Sequence, residues 1–267
     1  MITKKSIKVR DNIAKILAYI ILSTSFKSIT EAQTLPFYMI PKEFSTDAYL
    51  STLSDKRVWL GLRNTLIVVC PIMLIGVFVS SLAAYSFAKI RFKGKNILFS
   101  LILGSMMLPG VITMTPAYVI YDYIGWTDSW APLMVPGLFG TASCIFFMRQ
   151  FISKIPDEVI ESAKVDGLGH FGTFLRIIFP LIIPAVIAQV ILWFFAGYND
   201  YFGPMLYLDT TNKFTLQLVL QNISSQADGN MPKVMATCVI SLIPALIVYA
   251  FAQKSLLKGI ALEGIKK

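Results

Sequence analysis

The sequence predicts an all-α polytopic membrane protein, and three observations carry that prediction. The 267-residue chain is 55% hydrophobic and only 15% charged, against about 25% charged residues in a typical soluble domain, and its mean hydropathy is +0.66. Several apolar runs exceed the roughly 18 residues that mark a transmembrane helix. None of these runs alternates with period two, so a membrane β-barrel is excluded. Inside lipid each backbone N–H and C=O must be satisfied within its own segment, which makes the runs helices.

The elements follow in chain order. A first segment, Ile13 to Phe26, is apolar apart from Lys15 and a Ser23-Thr24-Ser25 cluster. It reaches only about 21 Å at about 1.5 Å per residue, short of a hydrocarbon core of roughly 30 Å. Its basic start (Lys4, Lys5, Lys8, Arg10) also suits a signal peptide, but no convincing small-x-small cleavage site follows. Five clear spans come next: Thr65 to Ala88; Ile97 to Tyr121, broken at Pro109-Gly110; Ala131 to Met148; Ile177 to Tyr198; and Val234 to Phe251. Pro132, Pro136, Pro180, Pro184 and Pro244 lie in them. They suit kinked helices around a cavity, and equally the ordinary proline content of membrane helices.

Lysine and arginine set the orientation. The loop after the first clear span holds Lys89, Arg91, Lys93 and Lys95 without an acid. The next holds Asp122 and Asp128 without a base, and the third holds Arg149, Lys154, Lys164 and Arg176. The stretch 199–233 carries more acids than bases, and the tail has Lys254, Lys258, Lys266 and Lys267. This alternation predicts a cytoplasmic third loop and C-terminus, with residues 27–63 outside. The net charge of +9 is then cytoplasmic loop charge rather than a nucleic-acid surface.

Other chemistries find little support. Cys70, Cys144 and Cys238 sit inside apolar runs without metal-ligand spacing, and His170 is the only histidine. A membrane-embedded enzyme would need a catalytic dyad or metal cluster. A secondary transporter or channel would need ionisable residues within the spans, and those offer almost none. The chain contains no G-x-x-x-x-G-K-[ST] sequence, so it does not hydrolyse ATP itself.

The third loop holds the densest charge. In "IPDEVIESAKVDGLGHFGTFLRIIFPLIIP" (Ile155 to Pro184), Pro156 suits the first turn of a helix and Asp157 and Glu158 suit its positive end. Val159, Ile160 and Ala163 make an apolar face, and Gly167 is a natural stop. The expectation is about three turns of amphipathic helix, then a second helix leading into the fourth span. One reading lays this helix on lipid headgroups. Its acids oppose that, because the cytoplasmic leaflet is negative and surface helices favour lysine and arginine. They favour docking to a protein, though Glu161 could also be no more than an exposed pair with Lys164.

The spacing Glu161-Ser162-Ala163, Gly167, Ile177 and Pro180 resembles the "EAA" loop of ATP-binding cassette (ABC) importer permeases, with Ser162 for an alanine and Phe179 for a leucine. "SMMLPGVITMTPAYVI" (Ser105–Ile120), "FFMRQFISKIPDEVIESAKVDG" (Phe146–Gly167), "GYNDYFGPMLYL" (Gly197–Leu208) and "GIALEGIKK" (Gly259–Lys267) resemble the maltose-type carbohydrate-uptake permeases, and the smaller of their two subunits. The resemblance implies a six-helix permease in a bacterial inner membrane, a single transmembrane domain over 1–267 with a coupling loop at 155–176. It implies a second permease subunit, two ATPase subunits, an external sugar-binding protein, and membrane lipid around the spans. This chain would hold no cofactor, ATP and Mg being used by the ATPase. Glu161, Ser162, Ala163, Asp166 and Gly167 would couple to that ATPase, Glu161 through a charge-assisted hydrogen bond and Ser162 and Ala163 through close packing. Tyr198, Asn199 and Asp200 would line a candidate substrate path. The sequence departs from the family in its first span, shortened by about ten residues, and in its Lys266-Lys267 end. The alternative within the family is a truncated, inactive copy. The sequence does not name the sugar.

Overall fold

The computed structural model describes residues 4–36 and 38–264, and side chains over 12–36 and 38–253. The basic side chains of Lys4, Lys5, Lys8 and Arg10, and the Lys266-Lys267 end, lie outside the described residues. Every regular element described is helical. The chain forms two compact units, one holding residues up to Asn64 plus Thr210–Ile247, the other holding Thr65–Asp209 and the chain from Val248.

In the first unit, the opening helix runs Lys4–Ser25 and is apolar from Asn12. Its serine and threonine cluster ends the helix by anchoring it. Ser25 Oγ donates to the Leu22 carbonyl at 2.7 Å and meets the Tyr49 hydroxyl at 2.8 Å, while Ser23 Oγ donates to the Met39 carbonyl. Phe26 stacks on Phe44 with ring centroids 4.5 Å apart. Lys27 is buried, and its Nζ donates to the Tyr38 carbonyl at 2.6 Å. The helix Leu216–Ser225 buries Leu216, Leu218, Val219 and Ile223, a face at helical spacing.

Asp55 starts the long helix Lys56–Lys89. Its carboxylate accepts from the Arg57 backbone N–H at 3.1 Å, as an N-terminal cap does. It also takes the Arg57 guanidinium through two bonds of 3.0 and 2.8 Å, with Lys233 Nζ at 3.6 Å. The Arg57 hydrogen bond holds the Asp55 carboxyl below the usual carboxylate range, against burial that pushes it up. The expected span from Thr65 therefore begins nine residues earlier. Lys56, Arg57 and Arg63 conceal that first stretch from a search for apolar runs.

In the second unit, the core joins Val77, Ala84 and Tyr85 of the long helix to Cys144, Met148 and Ile152, and to Phe174, Ile178, Ile182 and Ala185. Helix Lys56–Lys89 and helix Ala131–Ser153 each pass the length and hydropathy required of a span, as does Met231–Gln253. Two further pairs qualify only as bent spans. Lys95–Ser105 and Gly110–Tyr123 meet at 96°, and His170–Leu181 and Ile183–Tyr198 meet at 77°. Pro109 is extended (φ −60°, ψ 129°) and lacks an N–H, so the first pair breaks there. Ile182, between Pro180 and Pro184, leaves the helix at ψ 4°. Among the described residues the three long helices, with each bent pair counted as one span, give five, the number the apolar runs predict. The opening helix Lys4–Ser25 contributes a shorter apolar stretch, Asn12–Ser25 among the described residues. Ile97, Leu101, Val111, Ile112 and Tyr123 are apolar and exposed, as side chains facing lipid would be.

Candidate functional site

The third-loop helix runs Glu158–Val165, with Asp157 as its N-cap residue and Pro156 just outside it. It is about two turns, shorter than the expected three. It ends as the glycine requires. Gly167 takes φ +80°, its N–H donates to the Lys164 carbonyl at 3.0 Å, and the Leu168 N–H donates to the Ala163 carbonyl at 2.9 Å. These two bonds are the Schellman closure, which satisfies carbonyls that have no helical donor. A second helix then starts at His170 and leads into the bent fourth span.

The helix has two faces with different fates. Ile160 and Ala163 are buried within the chain itself, Ala163 to 1% exposure, and Ile160 belongs to the core that holds Ile152 and Phe174. The expected packing of Ala163 on a partner thus concerns a residue that is already buried within its own chain. The face is spent on the chain's own core. Glu158, Glu161, Ser162, Lys164 and Asp166 are exposed. Ser162 Oγ turns back to the Val159 carbonyl at 3.0 Å. Val165 is 87% exposed and Phe171, on the following helix, 59%. The outward surface is thus acidic and bordered by uncovered apolar side chains.

One contact was not legible in the sequence. Lys89, the last residue of the long helix, donates from Nζ to the Ile155 carbonyl and to Asp157 Oδ1, the latter at 2.6 Å. Its side chain is 8% exposed while that of Asp157 is 75% exposed. The Lys89 hydrogen bond holds the Asp157 carboxyl below the usual carboxylate range. Two more cations close the same helix end. Arg149 Nε donates to the Phe87 carbonyl at 3.2 Å, and Lys95 Nζ donates to the carbonyls of Ala88 and Ile90 at 3.3 and 3.0 Å. Basic side chains commonly take up the last carbonyls of a helix. In the sequence these residues read only as orientation charges, because Lys89 and Asp157 lie 68 positions apart.

Tyr198, Asn199 and Asp200 are adjacent in sequence but not alike in placement. Tyr198 is buried and stacks on Phe194 at 5.3 Å between centroids. Asn199 is exposed and its amide donates to the Phe195 carbonyl at 2.8 Å. Asp200 is exposed and accepts from the Gly203 N–H at 3.2 Å, holding the turn into Phe202–Tyr207. Among the described residues there is no group of three or more His, Cys, Asp or Glu side chains able to hold a metal ion. Cys144 is buried and Cys70 and Cys238 are half-buried, all as free thiols, and His170 is exposed.

The family model for binding-protein-dependent transport system inner membrane components matches residues 72–261, which include the loop helix and all but the opening of the spans. The chain belongs to this family. Among curated relatives, it is 30% identical to the polygalacturonan/rhamnogalacturonan transport system permease protein YtcP of Bacillus subtilis (strain 168), over 92% of this chain and 90% of that one. It is 30% identical to the arabinooligosaccharides transport system permease protein AraQ of the same organism, over 85% and 80%. A crystal structure of a bacterial ABC transporter involved in the import of the acidic polysaccharide alginate superposes with a TM-score of 0.81 at 24% identity, covering 93% of this chain and 92% of that one. That likeness is one of fold. The permease is a multi-pass membrane subunit of an ABC importer, grouped by similarity with carbohydrate permeases. It is not an enzyme: in this family of binding-protein-dependent transport systems the chain is the inner membrane component, and ATP hydrolysis resides in a separate subunit.

Proposed function

We propose that the permease imports a sugar or oligosaccharide and that its third-loop helix couples the movement to an ATPase. The cargo rests on the relatives, two of which are named for oligosaccharide or polysaccharide transport. The coupling rests on one observation: a helix whose apolar face is locked into the chain's own core while Glu161 and Ser162 stand exposed. A helix held this way can be pushed by a partner without deforming, which is what force transfer needs.

In this reading a second permease subunit completes the cavity as a heterodimer, two ATPase subunits bind at the loops, and an external sugar-binding protein delivers cargo. ATP and Mg act only in the ATPase. Glu161 receives a charge-assisted hydrogen bond from the ATPase, Ser162 and Asp166 flank it, and Ala163 and Gly167 set the helix and its turn. The charge alternation of the loops supports a cytoplasmic loop helix and C-terminus in a bacterial inner membrane. At the other end of the fourth span, Asn199 and Asp200 present an amide and a carboxylate suited to sugar hydroxyls, next in sequence to the buried Tyr198.

The test is Glu161→Lys in the complete transporter. Because Glu161 is exposed, the variant is expected to reach the membrane in normal amount and to lose ATP-driven uptake. Unchanged uptake in vesicles removes the coupling role. A wild-type chain that supports no uptake with its ATPase, second permease and binding protein present indicates the inactive copy instead.

A further inference from the structure

We propose that Lys89 is a positioning residue, a latch that carries movement of the loop helix into the first long span. The proposal rests on the coupling reading above. By covalent connection alone, the loop helix Glu158–Val165 pushes only on its chain neighbours. Those are Ala131–Ser153 before it and the bent pair beginning at His170 after it. The helix Lys56–Lys89 ends in a different loop and has no bond of this kind to it. Lys89 supplies one. Its ammonium grips the chain just ahead of the loop helix at two points, the Ile155 carbonyl and the carboxylate of Asp157, the N-cap residue.

Three features make this contact a rod rather than a surface decoration. The lysine side chain is 8% exposed, so its stem is packed and its reach is set. It bonds a backbone carbonyl as well as a side chain, so the contact holds even while the exposed Asp157 carboxylate exchanges with water. The helix end that carries Lys89 is itself closed by Arg149 and Lys95, so a pull on Lys89 moves the helix rather than unwinding its last turn. Exposed ion pairs contribute little, but a cation shared between a packed site and a backbone carbonyl is costly to remove, because the carbonyl loses its donor. A plain C-terminal clamp would stabilise the fold without affecting how work is transferred, and that difference is measurable.

The experiment uses the complete transporter reconstituted in vesicles. It compares wild type with Lys89→Met, Lys89→Arg and Asp157→Asn, reading uptake, ATP hydrolysis stimulated by loaded binding protein, and thermal stability. Lys89→Met keeps the stem and removes the charge and donors. It is expected to leave stimulated hydrolysis within about twofold while cargo moved per ATP falls roughly two- to thirty-fold, the range in which single residues modulate coupling. Lys89→Arg restores most of the ratio. Asp157→Asn, which spares the Ile155 contact, gives an intermediate loss. The latch is overturned if cargo per ATP is unchanged in Lys89→Met. It is equally overturned if hydrolysis, uptake and stability all fall together in Lys89→Met and Asp157→Asn, which marks a structural clamp. Glu161→Lys run alongside separates the two proposals: an intact wild-type ratio with a lost Glu161→Lys activity and a silent Lys89→Met refutes the latch alone.

Discussion

Gly167 sits at φ +80°, in the left-handed region, and an added Cβ there would meet nothing within 4 Å. Any penalty from a side chain is therefore backbone strain and not a clash, about 1–2 kcal/mol for an ordinary residue. Gly167→Val is expected to destabilise the purified permease by about that amount and to lower uptake, because the Schellman closure orients the following helix. Gly167→Asn, whose side chain tolerates this region, should recover most of both, and thermal unfolding beside vesicle uptake checks the order. If valine and asparagine behave alike, the turn does not depend on the left-handed conformation. At the same scale, Glu161 and Ala163 are two positions apart and so point to different sides of the helix. The acid is left to solvent and the alanine goes into the core. Their separation was readable from helical geometry. The side each residue faces was not, because the apolar face suits a partner's socket as well as the chain's own interior.

Among the elements, the prolines acted as their chemistry requires, but the angles they produced were not readable in advance. A proline removes a donor and forbids the preceding turn. The neighbouring helices then decide whether the result is a mild kink or the 96° and 77° bends seen here. Close packing was equally hidden. An added Cβ on Gly76 would come within 2.3 Å of the Gly137 carbonyl oxygen and 3.1 Å of the Trp193 ring, so the two backbones touch where only hydrogen atoms fit. Gly76→Ala is expected to destabilise the permease by about 1–3 kcal/mol, the cost of overpacking. The control is Gly104→Ala, in the open on Lys95–Ser105, where alanine should stabilise the helix by about 0.5–1 kcal/mol. Unfolding midpoints in detergent distinguish them, and equal shifts would mean that the crossing has room to open.

For the whole molecule, five spans and the alternating loop charges make one prediction about orientation. Lys93 and Asp209 are both exposed and lie in loops of opposite charge character. In a background without Cys70, Cys144 and Cys238, a cysteine at Lys93 is expected to react only with a reagent admitted to the cytoplasm. A cysteine at Asp209 should react only with a membrane-impermeant reagent added outside. The reversed pattern would invert the loop helix and end its role in ATPase coupling. The span count was legible because hydropathy is a sum over neighbours in the chain, and the loop helix because capping and helical spacing act within a dozen residues. The opening helix was only partly legible. Its Ser23-Thr24-Ser25 cluster resembles an interruption until Tyr49 and Met39 are seen to hold it. Asp157 shows the same limit, an acid at a helix start in sequence and the seat of Lys89 in space. Local order follows from bonds and periodicities that adjacent residues share. Which helix Lys89 ties to the loop depends on contacts across 68 positions, and only packing in three dimensions selects those.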